Sequence, residues 1–428
     1  MTYSRPADSN LSTRLLQALT PEQVRLLRSV AGEAARQRLP LYIVGGFVRD
    51  LLLGHPGLDF DLVVEGDALG LARAVAAKHG GKVTVHTRFK TAQWFPPPAP
   101  DIHEYVDFIS TRSETYAHPG ALPKVFQGTL TDDLCRRDFT INTLALRLDG
   151  DHFGELRDDL GGLEDLQAGL VRVLHPLSFV DDPTRLFRVI RYEQRYRFQV
   201  TPKTLALIPD ARLLINRLSA ERVRHELDLV LEEENAASML KRLAELGILA
   251  AVHPALEWNT TTQKRFANGL AAAQILEQPP SRRRLGWTLW LMDVPLPSLE
   301  SIEKRLHFES GLRELLLAAS ALFADVNSLV GKKPSRCVAV LDEIPPKAVQ
   351  AVSLALPAGQ ARQELHEYLE TWQHVKPKTN GHDLKKRGLP PGPAYKSILR
   401  RLGEAWLDGE VKTVDEERAL LEQLIKKA

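Results

Sequence analysis

The chain has 428 residues, of which 44% are hydrophobic and 26% charged, a balance that excludes a disordered polymer and implies two to four folded domains. Its formal net charge of +2 excludes a strong overall field, so a nucleic-acid partner would have to meet a local basic stripe. Two distant cysteines, Cys135 and Cys337, exclude a disulfide framework or a zinc site of their own, and no apolar run reaches membrane-spanning length. With no signal-like N-terminus, the expected location is cytoplasmic.

Thr20-Pro21-Glu22-Gln23 predicts a capped helix start, with proline at the first helical position and a helix running to about Gln37. Leu41 to Val44 reads as a strand broken by Gly45-Gly46, and Phe47 to Leu53 as a helix ended by Gly54. Asp59 to Val64 is a second predicted strand, Leu69 to His79 a helix, Lys82 to His86 a third strand and Tyr105 to Ile109 a fourth. Thr111 to Thr131 is a long stretch of low helicity. Past His152 strand-like runs disappear, and helical spacing of apolar residues marks Leu186–Tyr196, Glu221–Leu231, Ala237–Leu249 and Leu312–Phe323. Proline pairs at Pro279-Pro280, Pro345-Pro346 and Pro390-Pro391 punctuate this region.

Chemistry first shows at Asp59-Phe60-Asp61. Residues i and i+2 of a strand share a face, so both carboxylates would project together, suited to Mg²⁺, which favours hard oxygen ligands. Asp107, on the predicted neighbouring strand, is the candidate third carboxylate for a two-metal site. Acidic-x-acidic tripeptides are also common on solvated strands and turns. Gly45 and Gly46 let backbone approach a triphosphate ahead of a helix N-terminus, and Arg49 would sit one turn into that helix as a phosphate clamp. Asp182 and Arg185 are three apart on one helix face, and an acceptor beside a donor complements the Watson–Crick edges of C and A. Asp182-Pro183 is equally a helix N-cap with a first-turn proline. Arg185, Arg188, Arg191 and Arg195, interleaved with Tyr192 and Tyr196, form a basic helical stripe.

Gly45-Gly46-Phe47-Val48-Arg49-Asp50 followed by Asp59-Phe60-Asp61 resembles the first motif of the class II tRNA nucleotidyltransferases (CCA-adding enzymes) and bacterial poly(A) polymerases. Arg136-Arg137-Asp138-Phe139-Thr140-Ile141-Asn142, Asp159-Leu160-Gly161-Gly162, Asp181-Asp182-Pro183-Thr184-Arg185 and Ser219 to Leu227 resemble later motifs of that family, in order. Asp181 stands where glutamate is frequent, Thr143 where alanine is usual, and Tyr192 where phenylalanine is.

The resemblance implies an α+β chain. A polymerase-β-like nucleotidyltransferase head with a mixed β-sheet would span 39–148, after a helical leader over 1–38. An all-α neck (149–235), body (236–370) and tail (371–428) would follow. It implies an enzyme adding C and/or A from CTP and ATP to a tRNA 3′ end, either complete CCA-adding or A-adding, with Mg²⁺ on Asp59, Asp61 and Asp107 and no obligate protein partner. Nucleotide contacts would come from Gly45, Gly46, Arg49, Arg137, Asp138, Asn142, Asp182, Arg185, Arg188 and Arg191. Ribose recognition falls on Arg137 and Asp138, with Asn142 expected on the same helical face four residues on. Base selection falls on Asp182 and Arg185. Arg112 to Val125 is similar to the family's flexible loop and is undeleted, which points to addition of the terminal A. Lys385, Lys386 and Arg387, ahead of the turn at Gly392, resemble a tRNA-holding tail and are otherwise an exposed basic loop. A poly(A) polymerase of the same fold, or a non-catalytic RNA-binding relative, are the rival readings.

Overall fold

The computed structural model describes residues 10–55, 61–98, 105–115 and 124–426. By its internal contacts the chain divides into two compact units, Met1–Ser219 with Leu246–Ala251, and Ala220–Glu245 with Val252–Ala428.

In the first unit, helix α1 (Ser12–Ala18) precedes α2 (Pro21–Arg36), whose start is the expected capping box: the Thr20 hydroxyl accepts from the Gln23 amide while Gln23 returns the bond to the Thr20 amide. Strand β1 (Leu41–Val44) is followed by α3 (Gly46–Leu53), which Gly54 ends in the left-handed region. Then come β2 (Leu62–Val64), α4 (Ala68–His79), β3 (Lys82–His86), β4 (Thr91–Phe95) and β5 (Val106–Ser110). A two-stranded ribbon of β6 (Arg112–Thr115) and β7 (Lys124–Gln127) leads into α5 (Leu130–Cys135). Strands β8 (Ala145–Arg147) and β9 (Glu155–Arg157) finish the main sheet, in the order β3-β4-β5-β2-β1-β8-β9. Within this sheet, among the described residues, only β2 and β5 pair in parallel.

The sheet is covered on both faces, which is why Leu41 to Val44 reads as an unbroken apolar run rather than an alternation. Tyr42, Val44, Val63 and Ala145 pack under Leu130 and Leu134 of α5, while α4 lies against β4 and β5.

Several expectations need correction. The strand expected over Asp59 to Val64 begins at Leu62, with Asp61 exposed just before it, and Asp59 lies outside the described residues. Thr91–Phe95 is a further strand, so the strand holding Asp107 is the fifth rather than the fourth. The low-helicity stretch after Thr111 contains β6 and β7. Strands also persist past His152: β9, then the parallel pair β10 (Leu170–Val171) and β11 (Gln199–Val200). Helices α6 (Gly162–Ala168), α7 (Ser178–Asp181) and α8 (Arg185–Tyr196) lie among them.

Every described element of the second unit is helical. Its centre is a stacked indole pair, Trp287 and Trp290, with centroids 5.3 Å apart, and the buried Trp287 Nε1 donates to Asp228 Oδ1 at 2.7 Å. Leu384, Ile398, Leu402 and Leu421 form a smaller core near the C-terminus. Among the described residues no helix is long and apolar enough to cross a membrane.

A candidate nucleotide site on the head

The site is assembled at the turn between β1 and α3. Gly45 has φ +86°, and a Cβ there would stand 2.6 Å from Arg137 Nη1, so glycine answers both the backbone and the crowding. No side chain caps the N-terminus of α3, leaving amides that favour an anion.

Arg136, Arg137 and Asp138 sit at the end of a helix. Thr129 and Asp132 form the capping box of α5, and Arg136 is its C-cap. The organising group is Asp133, a residue missing from the sequence-derived site. It is buried and accepts from Arg136 Nε at 3.0 Å and Arg137 Nη2 at 2.9 Å. Burial pushes its carboxyl up, but the Arg137 and Arg136 guanidinium groups outweigh burial and hold it below the usual carboxylate range. Spacings of three and four residues back from the arginines were the available signal. Held in this way, Arg137 lies over Gly45 with its buried Nε lacking a hydrogen-bond partner among the described residues.

Asp138 and Asn142 do meet, through a 3₁₀ turn (Thr140–Asn142) rather than along an α-helical face. Asn142 Nδ2 donates to Asp138 Oδ1 at 2.8 Å, and Arg188 Nε donates to Asp138 Oδ2 at 2.8 Å. Burial raises the Asp138 carboxyl, while Arg188 and Asn142 lower it further than burial lifts it. Arg49 is buried, donates to Asn142 Oδ1 at 2.6 Å and to both oxygens of Asp50, and lies over the rings of Tyr192 and Tyr196.

Asp182 is the C-cap of α7, and Thr184, not Asp182, is the N-cap of α8. Asp182 Oδ1 accepts from the Thr184 amide at 3.0 Å and hydroxyl at 2.7 Å, an Asx-type turn that sets the entry to α8. Arg185 is buried, with Nη1 donating to Ser178 Oγ at 2.6 Å and Nη2 to the Arg136 carbonyl at 2.6 Å. Arg191 is also buried, 5.8 Å from the Tyr192 centroid. The connector glycines close the same wall: Gly161 takes φ +75°, and a Cβ on Gly162 would strike the Thr140 carbonyl.

Strands β2 and β5 run in parallel with Leu62 opposite Phe108, so Asp61, just before β2, comes one residue earlier beside Asp107 of β5. Burial pushes the Asp107 carboxyl above its ordinary range, more than the Gln93 hydrogen bond and His86 lower it. Among the described residues no group of three acidic, histidine or cysteine side chains is gathered for a metal. Asp61, at the entry to β2, and Asp107, on β5, supply hard oxygen donors, a donor set that fits a divalent cation.

In the second unit, Lys385 and Lys386 are exposed on the short helix Gly381–Lys386, Arg387 pairs with Glu422, and Gly392 is the N-cap of Pro393–Leu407. The buried carboxylate of Glu417 accepts from the amides of Lys378 (2.9 Å) and Thr379 (2.7 Å) and from Trp406, and so fixes the approach to this helix.

Residues 41–172 match the poly A polymerase head domain, and residues 197–259 match the probable RNA and SrmB-binding site of polymerase A. Fold and site therefore define a nucleotidyltransferase head of that class. The A-adding tRNA nucleotidyltransferase of Halalkalibacterium halodurans is 32% identical over 407 residues, covering 91% of this chain and 90% of the relative. That of Geobacter sulfurreducens is 34% identical over 95% of this chain, and the chain spans 47% of its length. The CC-adding tRNA nucleotidyltransferase of Deinococcus radiodurans is 31% identical over 89% of this chain and 88% of its own. Among solved structures, the Thermotoga maritima CCA-adding enzyme complexed with tRNA aligns over 98% of both chains, with a TM-score of 0.80 and 28% identity. The chain belongs to the tRNA nucleotidyltransferase family.

Proposed function

We propose that this protein extends a tRNA 3′ end with nucleotides taken from ATP and CTP, and that the terminal A is among its products. The observation that carries the reading is Arg137: a guanidinium anchored by Asp133, laid over Gly45 at an uncapped helix N-terminus, with a buried donor waiting for an anion. A triphosphate satisfies that donor and the amides of α3 together. The tRNA 3′-oxygen then replaces pyrophosphate at the α-phosphorus.

Asp138, fixed by Asn142 and Arg188, would accept from a ribose 2′-hydroxyl and so separate ribo- from deoxyribonucleotides. Asp182 and Arg185 read the base: Arg185 has donors beyond the three bonds it makes to Ser178 and Arg136. The carboxylate and the remaining donors match an exocyclic amino group beside a ring acceptor, as in C and A, and oppose G and U. Arg49, read from the sequence as a phosphate clamp, acts instead by holding Asn142 and α8.

Asp59, Asp61 and Asp107 would hold Mg²⁺, which when bound lowers the pKa of a coordinated hydroxyl and offsets charge on the phosphates. The domain division proposed is head 39–148, neck 149–235, body 236–370 and tail 371–428, with Lys385, Lys386, Arg387 and Gly392 meeting RNA phosphates.

Terminal A addition is supported by the undeleted segment from Arg112 to Val125, whose described ends lie on β6 and β7. Offering labelled CTP or ATP with tRNA transcripts lacking the whole CCA end, lacking the last A, or complete tests this. Addition of A to the transcript ending in CC is expected, and addition of C alone would refute it. Long A tails on unrelated RNA would support the poly(A) polymerase reading instead.

A further inference from the structure

Tyr192 and Tyr196 lie one turn apart on α8, their rings stacked with centroids 6.1 Å apart and planes at 23°. The Arg49 guanidinium stands 5.0 Å from the first centroid and 4.7 Å from the second. Tyr196 Oη donates at 2.9 Å to Asp50 Oδ1, the carboxylate that also receives Arg49. Burial pushes the Tyr196 hydroxyl up to about 12, against the opposing pull of Arg49, so it remains a neutral donor through the physiological range.

From Arg49 the contacts run on without a break. Arg49 Nη1 donates to Asn142, Asn142 Nδ2 to Asp138, Arg188 Nε to Asp138, and Arg188 Nη2 to Tyr192 Oη at 3.2 Å. The circuit leaves α8 at Arg188 and returns to it at Tyr192 and Tyr196, passing through α3 and the 3₁₀ turn. Arg185 lies eleven residues before Tyr196 on the same helix, roughly 16 Å along its axis. Rotation of α8 about that axis is set at one end by the Arg185 bonds to Ser178 and Arg136, and at the other by this clamp. Reading a base by hydrogen bonds tolerates errors of only about half an ångström in donor placement.

We propose that Tyr196 is a positioning residue for nucleotide selection. Through Asp50 and Arg49 it fixes the azimuth of α8, and with it Arg185, while steadying Asp138 through Asn142. This rests on the functional reading above.

Two variants separate the stack from the hydrogen bond. Tyr196→Leu removes both, and Tyr196→Phe removes only the bond to Asp50. The readout is the ratio of kcat/KM for ATP to that for GTP on a tRNA transcript ending in CC, with KM for the transcript and a thermal unfolding midpoint. Tyr196→Leu is expected to lower the ratio about tenfold and Tyr196→Phe about two- to threefold, with KM for the transcript unchanged. A partly misfolded preparation lowers both rates together and leaves the ratio alone, so a purely structural role would not move it. If Tyr196→Leu does not fold, Tyr196→Phe decides. A folded variant set that keeps the parent's ratio overturns the inference. A parent that incorporates neither nucleotide overturns the functional reading, and this inference with it.

Discussion

The head and the tail handle positive charge in opposite ways. Around Gly45, the guanidinium groups of Arg49, Arg136, Arg137 and Arg188 are each tied to a carboxylate or amide within the first unit, and Asp133 and Asp138 are buried among them. In the tail, Lys385 and Lys386 project from a six-residue helix that is ordered from behind by Glu417 and a small apolar core. A site that must tell one nucleotide from another needs donors fixed before the ligand arrives. One that grips a phosphate backbone of any sequence needs charge more than geometry.

The sharpest way to break this contrast is to empty the centre of the head. Asp138→Ala leaves Arg188 and Asn142 facing a buried gap, and the expected loss is about 3–5 kcal/mol of stability together with selection of ATP over dATP. Urea denaturation and a two-nucleotide competition assay measure both. Asp138→Asn, which keeps the shape, is expected to fold and still lose the ribose preference. Gly45→Ala comes next: backbone strain at φ +86° is expected to cost about 1–3 kcal/mol, and displacement of Arg137 should raise KM for ATP more than it lowers kcat.

Acid should act on the head in a definite direction. Asp133 and Asp138 have carboxyls held below the ordinary range, so their stabilisation is present above the unfolded pKa of about 3.9 and is lost as pH falls through the lower folded values. Unfolding midpoints measured from pH 7 down to 3 are expected to stay level to about pH 5 and then to drop. In Asp138→Asn the drop should be shallower.

Much of this arrangement is legible in the sequence, for physical reasons. Thr20 with Gln23, Gly45 with Gly54, and the alternation of Lys82 to His86 each mark a local rule that the fold obeys. Thr91–Phe95 escaped because the three-residue turn before it, closed by Lys90 in the left-handed region, carries neither glycine nor proline. Strands of two or three residues such as Leu170–Val171 are too short to show a period. Asp182 looked like a helix cap because Pro183 follows it, whereas the chain makes an Asx turn first. Arg49 looked free for phosphate because nothing local announces Tyr192, Tyr196 and Asn142, which lie 93 to 147 positions further on.

The smallest effect is expected in the tail. Lys385→Ala with Lys386→Ala should weaken tRNA binding and reduce its salt slope by about one to two phosphate contacts, leaving the ATP to GTP ratio untouched. A change in that ratio would mean the tail shares in selection, and the contrast would fail.

The central assignment is that Asp61 belongs to the chemistry and not to RNA binding. Incorporation of labelled AMP into a tRNA ending in CC, measured for Asp61→Ala beside the dissociation constant for the same tRNA, tests it most directly. Incorporation is expected to vanish while binding stays within about twofold of the parent. An Asp61→Ala chain that still adds AMP would contradict the assignment.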